Sequence, residues 1–167
     1  MFQTIDGFLL SWKYESELTM KILNALTDLS LDQPVSKDDR SLGSIAWHLV
    51  TSPLVLLGHT GLIFQAPNDQ DPVPDRADEI VSAYNEMNES FMNAIQSQWE
   101  DSDLTAMSNM FGRELPNHFF LMTLIRHQIH HRGQMTVLMR QADLKVPGIY
   151  GPAREEWAAL GLEKPKL

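Results

Sequence analysis

The sequence predicts an all-α fold, a four-helix bundle with a long crossover between the second and third helices. Three observations point there. Apolar residues recur at three- and four-residue intervals in four separate stretches, as helices with one buried face require. No segment shows the convincing alternation of a strand, the nearest being Asp103 to Arg113. The connection from Ala66 to Pro74 carries three prolines and is too long for a simple up-down-up-down arrangement. At 167 residues the chain is expected to form a single domain, 1–167, that buries its core without disulfides or a structural metal.

Helix one is read from Phe2 to about Leu29, on Ile5, Phe8, Leu9, Trp12, Leu18, Ile22, Leu23, Leu26 and Leu29. Glu15 and Thr19 interrupt that stripe and are expected at a solvated edge. Ser30 to Arg40 reads as a loop, and Ser41 or Asp39 suits the N-cap of helix two, about Leu42 to Leu57. There Ile45, His48, Leu49 and Ser52 share a face, and Pro53 is expected to kink the helix or end its first segment. Helix three, Asp75 to Glu100, carries Ile80, Tyr84, Met87, Phe91, Ile95 and Trp99, which read as core. Asp101 to Leu115 reads as a loop, with Leu104, Met107, Met110 and Phe111 available to cover one end of the bundle. Pro116 suits the first position of helix four, which runs to about Ala142 along Phe120, Leu124, His127, His131, Met135 and Leu138. A rigid turn, Pro147 to Pro152, leads to one or two helical turns anchored by Trp157.

Composition narrows the function. A net charge of −9, with 13 Lys and Arg residues scattered along the chain, opposes binding to a phosphate backbone, so no nucleic acid is expected as partner. The absence of cysteine removes disulfides, thiolate metal sites and a cysteine nucleophile. The first residues lack the basic start of a signal peptide, and no uninterrupted run of eighteen apolar residues occurs. A cytoplasmic protein with no membrane partner is the expectation.

Histidines carry the chemistry. His127 and His131, four apart, aim two imidazoles from one face of helix four, and both replace apolar residues in its core line. His48 does the same in helix two. Three inward imidazoles without a common partner would each cost roughly 1–3 kcal/mol of desolvation, which one shared divalent cation relieves. Neutral imidazole suits zinc and nickel, and three histidines leave a coordination position open for water or substrate. Gln128 stands where a zincin protease carries its catalytic glutamate, so that mechanism is set aside. His59 and His118 are expected at the surface. No Gly-x-Ser-x-Gly elbow or phosphate-cradling loop is present.

Three segments, Ser41-Leu42-Gly43-Ser44-Ile45-Ala46-Trp47-His48-Leu49-Val50, His127-Gln128-Ile129-His130-His131-Arg132-Gly133-Gln134 and Pro147-Gly148-Ile149-Tyr150-Gly151-Pro152, together resemble the DinB family, also called the DinB/YfiT-like metalloenzymes. The resemblance spans nearly the whole chain. It implies the same four-helix bundle with its crossover and a divalent metal held by His48, His127 and His131. His130, Gln134, Tyr14 and Glu15 are the candidates for groups behind those ligands. Arg132 is expected to tie to an acidic partner, and Gly133 to allow close helix packing. Some relatives are transferases that activate a low-molecular-weight thiol on the metal, which implies a small-molecule substrate here. The family's name reflects induction by DNA damage, a matter of regulation and stress response. The resemblance also allows a homodimer, although no sequence feature fixes its interface.

Overall fold

A computed structural model describes residues 2–110 and 112–166. Four helices make up most of it: α1 (Ile5–Leu23), α2 (Leu42–Leu57), α3 (Ala77–Gln98) and α4 (Asn117–Gln141). A small antiparallel hairpin, β1 (Met107–Met110) and β2 (Arg113–Pro116), precedes α4. Both α1 and α2 pack against α3 and α4. At the centre the fully buried Phe91 meets Phe8 and Trp12 edge to face, with Trp12 and Phe91 5.2 Å apart at 84°. The Trp12 indole donates to Asn88 Oδ1 at 2.7 Å, so the ring is buried without losing its hydrogen bond.

Helix α1 starts under a Thr4 cap and ends at Leu23, six residues before the expected Leu29. Leu26 stays buried while Leu29 is 94% exposed, because the chain turns at Thr27 to Ser30. There the Ser30 hydroxyl and the Thr27 backbone bond to each other and hold the turn. Asp28 then accepts from Ala77 N at 2.8 Å and so sets the start of α3. Ser41 caps α2 by accepting from Ser44 N. Gly43 lies against Leu31, where a Cβ would stand 3.0 Å from the leucine side chain.

Two corrections to the expected elements bear on the site. The stretch taken as loop contains the hairpin, turned at Gly112 with φ of 78°. Its strands have four residues each, too short for alternation to register in the sequence. Leu104 is buried and Met110 partly buried, Met107 is exposed, and Phe111 lies outside the described residues. Pro116 closes β2 and caps α4, so the first helical residue is Asn117. The C-terminal segment forms a short 3-10 turn at Ala158–Leu160, with Trp157 half-buried.

Pro53 lies inside α2, and the helix continues to Leu57. Proline has no N–H for the carbonyl four residues back, which frees Leu49 O. Gln128 of α4, fully buried, fills that gap: its Nε2 donates to Leu49 O at 3.1 Å. Its Oε1 accepts from Thr19 of α1 at 3.0 Å and from the Tyr84 hydroxyl of α3 at 3.3 Å. One amide therefore joins all four helices. The segment Leu42–Thr60 is long and apolar enough to cross a membrane by composition, but most of it is buried inside the protein as a core helix.

Replacing Gln128 with leucine strands two buried polar groups, Leu49 O and the Tyr84 hydroxyl, while Thr19 keeps the Glu15 carbonyl at 3.1 Å, and urea unfolding is expected to show a loss of about 2–4 kcal/mol. Pro53→Ala restores an amide for Leu49 O, so the same Gln128→Leu change should cost less in that background. Equal costs in both backgrounds would contradict the coupling.

Candidate metal centre

His48 comes from the middle of α2, and His127 and His131 from consecutive turns of α4. The Gln128 to Leu49 bond joins the residues immediately after His127 and His48, which holds those two imidazoles at one level. His48 Nε2 lies 3.2 Å from His127 Nε2, and His131 Nε2 lies 3.1 Å from that same atom. The three ligand atoms fall within 4.8 Å of one another. His131 is buried and the other two half-buried.

Protons alone cannot satisfy this cluster. A ring nitrogen offers either one N–H or one lone pair, so His127 Nε2 can serve only one of its two close neighbours. A cation placed between the three rings accepts all the lone pairs at once. Tetrahedral zinc with Zn–N bonds of 2.0–2.1 Å separates its nitrogens by about 3.3–3.4 Å, and an octahedral ion by about 3.0 Å. Both observed contacts lie close to that range, and the group can hold a metal ion.

The outer ring nitrogens fit the same picture. Gln134 Oε1 only accepts, so the 2.6 Å contact to His131 Nδ1 puts the proton there and leaves Nε2 as a lone pair facing its neighbours. His48 Nδ1 faces Asp69 Oδ1 at 3.7 Å, and Thr51 donates to that carboxylate at 3.2 Å. His127 Nδ1 is buried without a hydrogen-bond partner among the described residues. Burial pushes the imidazoles of His48 and His127 down to about 4, assisted by Arg40 at His48 and by the neighbouring histidines at His127. Burial also lowers His131, against the opposing effect of Gln134. All three are neutral near pH 7, the state in which imidazole binds metal.

A second buried cluster adjoins the first. Arg132, next to His131, is 2% exposed and donates to Glu15 O at 2.6 Å, to Thr19 Oγ1 at 3.0 Å, to the Glu15 carboxylate and to the Tyr150 hydroxyl. Tyr150 in turn donates to Glu15 Oε2 at 2.7 Å. Burial and that bond push the Tyr150 phenol up to about 12. Its loop is shaped by Glu156, which accepts from Gly148 N and Ala153 N at 2.9 Å. A Cβ at Gly148 would strike that carboxylate at 2.2 Å.

A model of the DinB family matches residues 1–166. The chain belongs to the DinB family. It is 52% identical to the uncharacterized protein YrdA of Bacillus subtilis (strain 168), over the full length of both chains. A crystal structure of a DinB-like protein from Bacillus cereus ATCC 10987 superposes with a TM-score of 0.87 at 54% identity, over 90% of this chain and all of that one. A second DinB-like structure, YjoA of Bacillus subtilis, has a TM-score of 0.67 at 14% identity over 88% of this chain and 99% of its own, and shares the fold.

Of the residues expected behind the ligands, Gln134 touches His131, and the exposed His130 stacks edge to face on the same ring at 4.9 Å. Glu15 serves Arg132. It and Thr19 are buried and not at a solvated edge, because each accepts from the guanidinium. Tyr14 is 53% exposed and joins no hydrogen bond among the described residues. Gly133 is exposed, and a Cβ there would meet nothing within 4 Å, so the close packing expected of it is absent. His59 is exposed as expected and His118 half-buried. Asp69 left no signal in the sequence because it lies in the connection between α2 and α3, where no periodicity marks a side chain. Gln128 did leave a signal, a polar residue in line with Leu121 and Leu124 on the buried face of α4.

Breaking the buried pair by Arg132→Met leaves the Glu15 carboxylate uncompensated, and thermal or urea unfolding should register a loss of about 3–5 kcal/mol. The double variant Arg132→Met, Glu15→Leu should recover much of it. No recovery would contradict a loss caused by the stranded charge.

Proposed function

We propose that the chain is a metal-dependent enzyme with zinc or nickel bound by His48, His127 and His131, acting on a small molecule. Supporting this is the pair of Nε2 contacts at 3.1 and 3.2 Å that hydrogen bonding cannot satisfy together. In this reading the four helices form a single four-helix-bundle domain with a crossover between α2 and α3. The crossover's role is to bring Asp69 to the outer face of His48.

The bound ion would lower the pKa of a water or a low-molecular-weight thiol at its open position, giving a nucleophile near neutral pH for hydrolysis or thiol transfer. The chain's own residues orient and insulate. Gln134 fixes the His131 tautomer and Asp69 that of His48, while the Gln128 hub keeps α2 and α4 in register. Burial keeps all three ligands unprotonated. A cytoplasmic, stress-induced protein that pairs as a homodimer accords with this reading, and the −9 charge accords with the absence of nucleic acid from its partners.

Elemental analysis of protein purified without an affinity tag is expected to find about one equivalent of divalent metal, lost in His48→Ala, His127→Ala and His131→Ala. Gln134→Leu should retain the site but weaken zinc by about tenfold in a competition titration. Wild-type protein that takes up no metal would overturn the proposal. Turnover of thiol and electrophile pairs that chelator abolishes and metal restores supports the enzyme. Metal or ligand binding without turnover across hydrolytic and thiol-transfer assays would leave a non-catalytic binding bundle in its place.

A further inference from the structure

One cavity shares no lining residue with the three imidazoles. It holds about 450 Å³, within the roughly 300–1,000 Å³ of small-molecule sites, and is lined by Arg154, Trp157, Lys164, Pro165 and Lys166. Three of these side chains are cationic and none is acidic, although the chain as a whole carries a net charge of −9. Within the roughly 8 Å over which charges act in physiological salt, such a local group outweighs the more distant acids.

Backbone turns build this cavity. Gly161, at φ of 68°, reverses the chain after the short 3-10 turn, and the Trp157 carbonyl accepts from Leu160 N and Leu162 N, both at 3.1 Å. The segment beyond is thereby led back to Trp157, where Lys164 and Lys166 join the lining. Arg154 donates to Glu155 Oε1 at 3.2 Å, and Arg140 of α4 binds both oxygens of the same carboxylate, which ties the cavity to the bundle.

The lining groups are left short of partners. Trp157 is half-buried, yet among the described residues its indole N–H has no hydrogen bond and its ring meets no other aromatic ring or cation. The Lys164 and Lys166 side chains are exposed and join no ion pair or hydrogen bond among the described residues. Glu155 is shared between two arginines, so it offsets only part of the charge of Arg154.

We propose that this cavity binds a planar ring joined to a phosphate monoester, the chemistry of a mononucleotide, with the ring on Trp157 and the phosphate between Lys164, Lys166 and Arg154. Bases of any sequence stack on an aromatic face, and Trp157 offers one that nothing else occupies. A phosphate monoester carries about −1.5 to −2 near neutral pH, which two free lysines and a shared arginine match, whereas a carboxylate carries only one charge. A cavity of this size takes one nucleotide. Further phosphates of a polynucleotide would face the acidic remainder of the chain.

AMP, adenosine and ribose 5-phosphate separate the two halves of such a ligand, and calorimetric titration of untagged protein at constant ionic strength measures each. AMP should bind about tenfold tighter than either fragment. Replacing both lysines, Lys164→Gln with Lys166→Gln, should lower AMP to the affinity of adenosine, and Trp157→Ala should lower it to that of ribose 5-phosphate. Trp157→Tyr keeps a stacking ring and should hold AMP within about twofold of wild type, which separates a lost contact from a tail that fails to fold. Zinc-loaded and chelator-treated protein should bind AMP alike. No AMP binding, equal affinities for AMP and ribose 5-phosphate, or binding that survives both Trp157→Ala and the lysine double variant would overturn the proposal. AMP binding that needs zinc would also overturn it, by placing the phosphate on the metal. None of these results counts against the metal reading.

Discussion

The bond from Gln128 to the Leu49 carbonyl is the constraint on which the site's geometry depends. It exists because Pro53 cannot donate to that carbonyl, and it fixes α2 against α4 one residue past His48 and His127. Thr19 and Tyr84 complete the same amide, so movement of α2, α3 or α4 strands a buried polar group. Low-dielectric surroundings make such a hub costly to disturb. They also keep the neighbouring imidazoles free of protons. A rigid hub and a neutral, converging ligand set are thus two results of one buried polar layer.

That layer continues into the Arg132, Glu15 and Tyr150 cluster. Thr19 belongs to both, donating to Gln128 and accepting from Arg132. Through Tyr150 the cluster fastens the C-terminal loop to α1 and α4, while the segment between α2 and α3 brings Asp69 to His48. Segments distant in sequence are thereby held to one short stretch of α4, from His127 to Gln134. His127 and His131 in that stretch face α2 and Arg132 faces α1, a division set by helical periodicity.

Much of this was legible in the sequence. Four apolar stripes located four helices, and His48, His127 and His131 stood out because each replaced an apolar residue on a buried face. Helix ends and the hairpin were not legible. The stripe of α1 runs on to Leu26 although the helix ends at Leu23, and four-residue strands are too short to show a period. Glu15 and Thr19 were misplaced for a related reason: a polar residue on a stripe reads as an edge until its partner, 117 or 113 residues away, is known. Asp69 sits in a loop, where only the folded chain shows what it faces.

The central claim is that three imidazoles from two helices share one ion. X-ray absorption at the zinc edge of untagged, zinc-loaded protein tests it most directly. The account predicts three imidazole nitrogens at about 2.0–2.1 Å, with oxygen in the remaining coordination. A spectrum without imidazole scattering, or one unchanged in His48→Ala, would contradict it.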